Sequence, residues 1–292
     1  MSTQQFQGPV EMQDKLELKG DVAIEGTNAV KYRNSPFSVR DPDRIYLEEF
    51  FQRKPGINAD IANSAEGTRM IANPDFEVLG DNATTDDVTF STTTAGLKLE
   101  TDGSDNDSII IAPHLDTTQT GWSSTKWGTE NQVMWECMIR TGSAISTQGI
   151  WAGLKLTNVD TYATDDDQAY FVYGSDDDSG ALTTNANLHF VHSIGGTDYI
   201  TDLGIAVAAD TNYRLTIDID DARQVGVWVN GTQYSLTSAT TAGGVTTGAG
   251  NTRSAALTND VDLIPYVGVI SRSGAADHMY LAYEKISRII FE

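Results

Sequence analysis

Three sets of residues in this 292-residue chain have types and spacings that could do chemistry: carboxylates on alternating stretches, acidic turns, and tryptophans placed off an apolar face. Glycoside hydrolysis by a strand-borne pair needs carboxylates on alternate residues, which share a face about 6.6 Å apart. Glu136 is the best candidate, but Met138 and Arg140 occupy the next positions on its face. Glu130 lies about 20 Å from it along an extended strand, too far for a two-carboxylate mechanism. Asp218 and Asp220 do share a face, flanked by Arg214 and Thr216, which reads as a solvated, partly ion-paired surface. His114, His189, His192 and His278 have no metal-ligand spacing. His189 and His192 point to opposite faces of one strand. No Gly-x-Ser-x-Gly context or phosphate-cradling glycine loop accompanies them. Catalytic residues are therefore assigned to none.

Hard oxygen ligands are closely spaced in Asp102–Asp107, Asp165–Asp167 and Asp176–Asp178, which could hold Ca2+. None has the glycine and distal glutamate of an EF-hand loop, so solvated acidic turns are the expectation. Trp228, Trp122 and Trp127 are the candidates for contact with a glycan or a protein partner, because sugar rings stack on aromatic faces.

These residues must be positioned by strands. Tyr213 to Asp220 alternates large apolar with polar side chains, the period of a half-buried strand. Asp221–Gln224 reverses the chain, Val225, Val227 and Val229 repeat the alternation, and Asn230-Gly231 suits a two-residue hairpin turn into a third strand. On that hairpin Trp228 points away from the core. Further strands are expected near residues 76–79, 88–90, 96–100, 108–112, 132–140, 150–156, 169–173, 188–194, 198–203, 263–270 and 278–291. Residues 40–51 could form a capped helix or an aromatic-rich strand, and the strand is preferred because it lets the beginning of the chain pair with its end. The expected fold is all-β, a sandwich of two antiparallel sheets over residues 45–292. Residues 1–44 are expected to form an extended N-terminal arm, whose Leu16, Leu18, Val22 and Ile24 would contact a neighbour.

Charge narrows the partners. With 19 Lys+Arg against 41 Asp+Glu the net charge is −22, which repels nucleic acid and anionic membranes. Residues 1–70 carry 9 basic and 11 acidic side chains, and the remainder 10 and 30, so the body holds the excess. Cys137 is the single cysteine and alternates with Trp135 and Ile139, as a buried structural thiol would. The first residues do not form a signal peptide, and assembly in a host cytoplasm is expected.

Asn212-Tyr213-Arg214-Leu215-Thr216-Ile217-Asp218-Ile219 followed by Val225-Gly226-Val227-Trp228-Val229-Asn230-Gly231 resembles the late strands of concanavalin A-like, laminin-G-like jelly rolls. The segments 128–136, 150–156 and 263–268 also give the chain a resemblance to virion structural proteins of marine tailed phages, the cyanophage type. This resemblance implies a non-catalytic capsid decoration or cement protein in the virion. It would be homo-oligomeric and attached through its arm to the major capsid protein or neighbouring subunits. The alternatives are a tail-fibre or adhesin module that binds surface glycans, and a divergent polysaccharide-cleaving enzyme.

Overall fold

The computed structural model describes residues 43–52, 56–57, 76–81, 83, 86–92, 94–113, 126–157, 165–174, 182, 186–238, 246–247, 251–272 and 274–290. Its strands, in chain order, begin with β1 (Arg44–Glu49), β2 (Gly56–Ile57), β3 (Glu77–Leu79), β4 (Val88–Phe90), β5 (Leu97–Glu100) and β6 (Ser108–Ala112). There follow β7 (Trp127–Gly128), β8 (Met134–Thr141), β9 (Gln148–Lys155), β10 (Gln168–Gly174), β11 (Asn187–Ile194) and β12 (Thr197–Ala206). The last are β13 (Asn212–Ile219), β14 (Val225–Val229), β15 (Thr232–Tyr234), β16 (Thr246–Thr247), β17 (Asp262–Ser271) and β18 (His278–Ile289).

Pairing sorts them into two sheets. An eight-stranded sheet has the order β15-β14-β13-β8-β18-β5-β4, with β1 also on β18; a ten-stranded sheet runs β16-β12-β11-β10-β9-β17-β6-β3-β2, with β7 also on β17. The long pairs are antiparallel, and among the described residues only the two-residue pairings β12–β16 and β2–β3 are parallel. The expected two-sheet jelly-roll sandwich is therefore the observed fold. The stretch that could have been a helix is strand β1, paired from Arg44↔Ile289 to Glu49↔Glu284, so the first described strand lies on the last.

Between the sheets, alternate residues of each strand interdigitate, among them Trp135, Cys137 and Ile139 of β8, Leu215 and Ile217 of β13, and Ile150 and Ala152 of β9. Phe171 and Phe190 meet edge to face at 5.1 Å. A second buried apolar cluster covers the outer face of the ten-stranded sheet, with Ile110, Trp151, Tyr170, Val191 and Tyr266. Strands apolar on both faces, such as Ser108-Ile109-Ile110-Ile111-Ala112, feed both layers. The eight-stranded sheet instead alternates cleanly, leaving its outer face to polar and aromatic side chains.

Candidate binding face on the eight-stranded sheet

The hairpin that carries Trp228 forms as its residues dictate. Asn230 and Gly231 take φ values of +52° and +83°, the pair of positive values that a two-residue turn of this type requires. Asn230 Oδ1 accepts the backbone N–H of Arg214 at 2.9 Å, tying the turn to the next strand. Trp228 therefore stands on the outer face. Its ring lies across Gly226, where a β-carbon would come within 2.9 Å of the indole Cη2. Arg253 Nη1 would lie 3.4 Å from the same carbon.

Asp218 and Asp220 flank this tryptophan as an ion-paired surface, as expected. Arg253 binds Asp218 through Nη2 and Asp220 through Nε at 3.2 Å, and its Nη1 donates to the Gln224 carbonyl at 2.9 Å. The arginine is thus held as a fixed wall beside the indole.

Register extends the face across six strands. Gln233 lies opposite Trp228, Trp228 opposite Thr216, Thr216 opposite Glu136, Glu136 opposite Lys285, and Lys285 opposite Glu48. Glu136 sits near the centre and is almost wholly buried. Its Oε1 accepts from Tyr283 Oη at 2.9 Å and its Oε2 from Thr216 Oγ1 at 3.2 Å. Burial first, and the Glu136 carboxylate second, raise the Tyr283 phenol well above its ordinary value, so it stays a donor. Lys285 Nζ stands over two rings, 4.8 Å from the Tyr283 centroid and 5.1 Å from that of Phe50. Phe50 is 48% exposed and packs on Tyr283 with centroids 5.8 Å apart.

Aromatic surfaces therefore stand at both ends of a row of hydrogen-bonding side chains. Trp228 and Lys285 are three strand spacings apart, about 14 Å. Within a chain of net charge −22, this face is balanced. Arg44, Lys98, Arg140, Arg214, Arg253 and Lys285 on or beside it are matched by Glu48, Glu100, Glu136, Asp210, Asp218 and Asp220.

Tyr283, Lys285 and Phe50 were not singled out by sequence reasoning. The pairing of β18 with β8 slips between Leu281 and Tyr283, which reverses the strand's alternation from that point. Unbroken alternation would have turned Tyr283 inward with Met279 and Leu281. The signal was present, because the inward apolar positions change from odd (Met279, Leu281) to even (Ile286).

The other expected contacts fall elsewhere. Trp127 is not a contact residue: β7 pairs with β17, Leu263 opposite Trp127, and the indole is 0% exposed inside the inter-sheet core. A two-residue strand leaves no alternation from which that burial could be read. Trp122 lies outside the described residues, as do Leu16, Leu18, Val22 and Ile24.

The acidic turns use their carboxylates locally. Asp107 Oδ2 accepts Ser104 N–H at 2.9 Å, and Asp165 Oδ2 accepts the N–H groups of Leu156 and Thr157 at 3.0 and 2.9 Å. The like charge of Asp87 raises Asp102 from its ordinary value. Among the described residues no group of three or more His, Cys, Asp or Glu side chains could hold a metal ion. Asp176–Asp178 lie outside them. His189 and His192 are on opposite faces of β11 and both are buried. No described helix is long and apolar enough to cross a membrane.

The outer face of the ten-stranded sheet also carries aromatics and a cation. Lys155 Nζ lies 5.5 Å from the Tyr170 ring and 5.2 Å from that of Tyr266, but all three residues are fully buried and offer no open surface.

No protein-family model matches the chain, and no curated protein matches it. Solved structures do. A protein of unknown function, SO2946 from Shewanella oneidensis MR-1, is similar over 93% of this chain and 97% of its own, at 10% identity and a TM-score of 0.49. The carbohydrate recognition domain of Emp46p in its potassium-bound form is similar over 77% of this chain and 93% of its own, at 9% identity and a TM-score of 0.44. The apo Crh5 transglycosylase is similar over 83% and 84%, at 12% identity and a TM-score of 0.45. Likeness at these identities concerns the path of the chain, and the chemistry has to be read from the residues.

Proposed function

We propose that the protein is a non-catalytic glycan-binding module whose ligand lies across the outer face of the eight-stranded sheet. The observation that carries this reading is the row from Gln233 to Glu48, with Trp228 at one end and the Tyr283–Phe50 pair at the other. Sugar rings present C–H faces to aromatic side chains and hydroxyls to polar ones, and this face offers aromatic rings towards its two ends with polar side chains between them. Glu136 is a structural carboxylate here. Met134 and Met138 are its neighbours along the strand, and both its oxygens already accept hydrogen bonds from Tyr283 and Thr216. The reading as a capsid decoration rests on sequence texture and on arm residues outside the described structure, and nothing further supports it.

Affinity electrophoresis through gels containing β-glucan, alginate or other polysaccharides tests the proposal. Retardation by at least one of them is expected, and Trp228→Ala should weaken it about tenfold while the far-ultraviolet circular dichroism is unchanged. A mobility unaffected by every polysaccharide overturns the proposal. Release of reducing ends would replace binding with hydrolysis, and Glu136 and Glu48 would then be the carboxylates to substitute.

A further inference from the structure

Strand β18 changes partner in mid-course. Its residues 278–281 pair with β5 and its residues 284–289 with β1, and the slip against β8 falls between the two. Gly96 immediately precedes β5 at this point: its φ is +92°, and a β-carbon would sit 2.0 Å from the Leu281 carbonyl oxygen. The reversed alternation puts Tyr283 and Lys285 on the binding face and sends the intervening Glu284 into the core.

Glu284 is 0% exposed. Its Oε1 accepts from Trp135 Nε1 at 2.7 Å, while Oε2 is buried with no hydrogen-bond partner among the described residues. The titratable groups that face it are few. On β8 its register partner is Cys137, whose thiol is held neutral chiefly by burial. On β1 its partner is Glu49, whose carboxylate accepts the Phe51 N–H. Leu215, Ala152 and Val267 face inward from β13, β9 and β17, and the other titratable side chains turned into this core include Tyr213 of β13, Tyr173 of β10 and His192 of β11. No described cation balances a charge at this point, although Tyr283 and Lys285, its chain neighbours, both belong to the face.

We propose that Glu284 is a proton latch for the binding face: its neutral carboxyl keeps β18 seated on β8, and its ionisation loosens the slipped segment and displaces Tyr283 and Lys285. The ligand half of this inference rests on the glycan-binding reading, and the structural half does not. A charge enclosed between the sheets has one donor, and the irregular pairing at Leu281–Tyr283 is the nearest place where the backbone can move to admit water. Burial pushes the Glu284 carboxyl up to about 8 from an ordinary 4.5, with the Trp135 hydrogen bond opposing it. The folded chain thus keeps a proton that the unfolded chain has already released. Stability is full below about 4.5, falls as pH rises, and the contribution is gone once pH has passed about 8. The folded protein itself changes charge state near 8, where the face should loosen.

Chemical denaturation of the wild type and of Glu284→Gln, whose amide oxygen can still accept from Trp135, tests the structural half. Between pH 4.5 and 8 the folding constant of the wild type should fall roughly a thousandfold relative to the variant. Parallel profiles overturn the latch. If the variant does not fold, infrared spectroscopy of the wild type decides: a protonated carboxyl band at pH 7 that vanishes above 8 is expected, and its absence at pH 7 overturns the proposal. Affinity electrophoresis over the same range tests the ligand half. Wild-type retardation should decline above pH 8 while that of Glu284→Gln does not, and identical profiles would sever the core carboxyl from the face. A protein that binds no polysaccharide at any pH fails the glycan-binding reading, while the denaturation profiles still judge the latch.

Discussion

His192 and Glu284 face the same core from opposite sheets, and burial displaces them in opposite senses. The His192 ring stacks on Tyr199 at 4.8 Å with 9° between planes, and its Nδ1 is buried with no hydrogen-bond partner among the described residues. Burial lowers it from 6.5 to about 4, so the unfolded chain takes up a proton before the folded chain does. Its contribution is present above about 6.5 and is lost as pH falls towards 4, up to about 3 kcal/mol if the full displacement is realised. His192→Phe keeps the stack and removes the proton. Its denaturation midpoint should therefore decline less than that of the wild type between pH 6.5 and 4, and an equal decline would show the imidazole to be uncoupled from folding. The histidine's spacing excluded a metal site, and its burial followed from strand alternation; the consequence for acid stability required its neighbours.

At the scale of elements, the three-stranded unit β13-β14-β15 is the best-determined part of the fold, because alternation and turn chemistry agree over its whole length. Gly231 is the position where that agreement is most exposed to test. Its φ of +83° strains any side chain, and a β-branched one most of all. Gly231→Val should cost about 1–2 kcal/mol, read as a lower denaturant midpoint. It should also weaken polysaccharide retardation, because Trp228 and Gln233 flank the turn on paired strands. A stable variant with altered retardation would place the effect in the face alone; no change in either would mean that the turn does not hold the tryptophan. The short strands β2, β7 and β16 could not be read in this way. Two residues carry no period, and their pairing exists only when a longer strand is already beside them.

For the molecule as a whole, the first described strand closes the sandwich against the last. Arg44 Nε donates to Ser287 Oγ at 3.2 Å, its Nη2 reaches the Gln132 and Ser287 carbonyls, and Leu47 and Phe51 enter the core. Removing the chain through residue 51 takes away two buried apolar side chains, about 4 kcal/mol together, and a six-residue strand pairing. That loss is comparable with the whole stability of a typical domain. The shortened chain should elute from size exclusion as aggregate, or show an unfolded far-ultraviolet spectrum; a monomer with native melting would mean that β1 is an accessory rather than a closing element.

Alternation, turn residues and charge, all local or additive properties, were enough to determine an all-β chain, the strands of the eight-stranded sheet other than β1, the outward direction of Trp228 and the ion-paired character of Asp218 and Asp220. Three things needed the assembled sandwich. Trp127 is inside because β7 docks on β17, a contact between residues far apart in the chain. The second apolar layer was hidden because strands buried on both faces lose the period that reports a face. Tyr283 and Glu284 exchange the faces that uninterrupted alternation would assign them, because one slipped pairing in β18 turns every later side chain over. That single irregularity supplies the binding face with its tyrosine and the core with its acid.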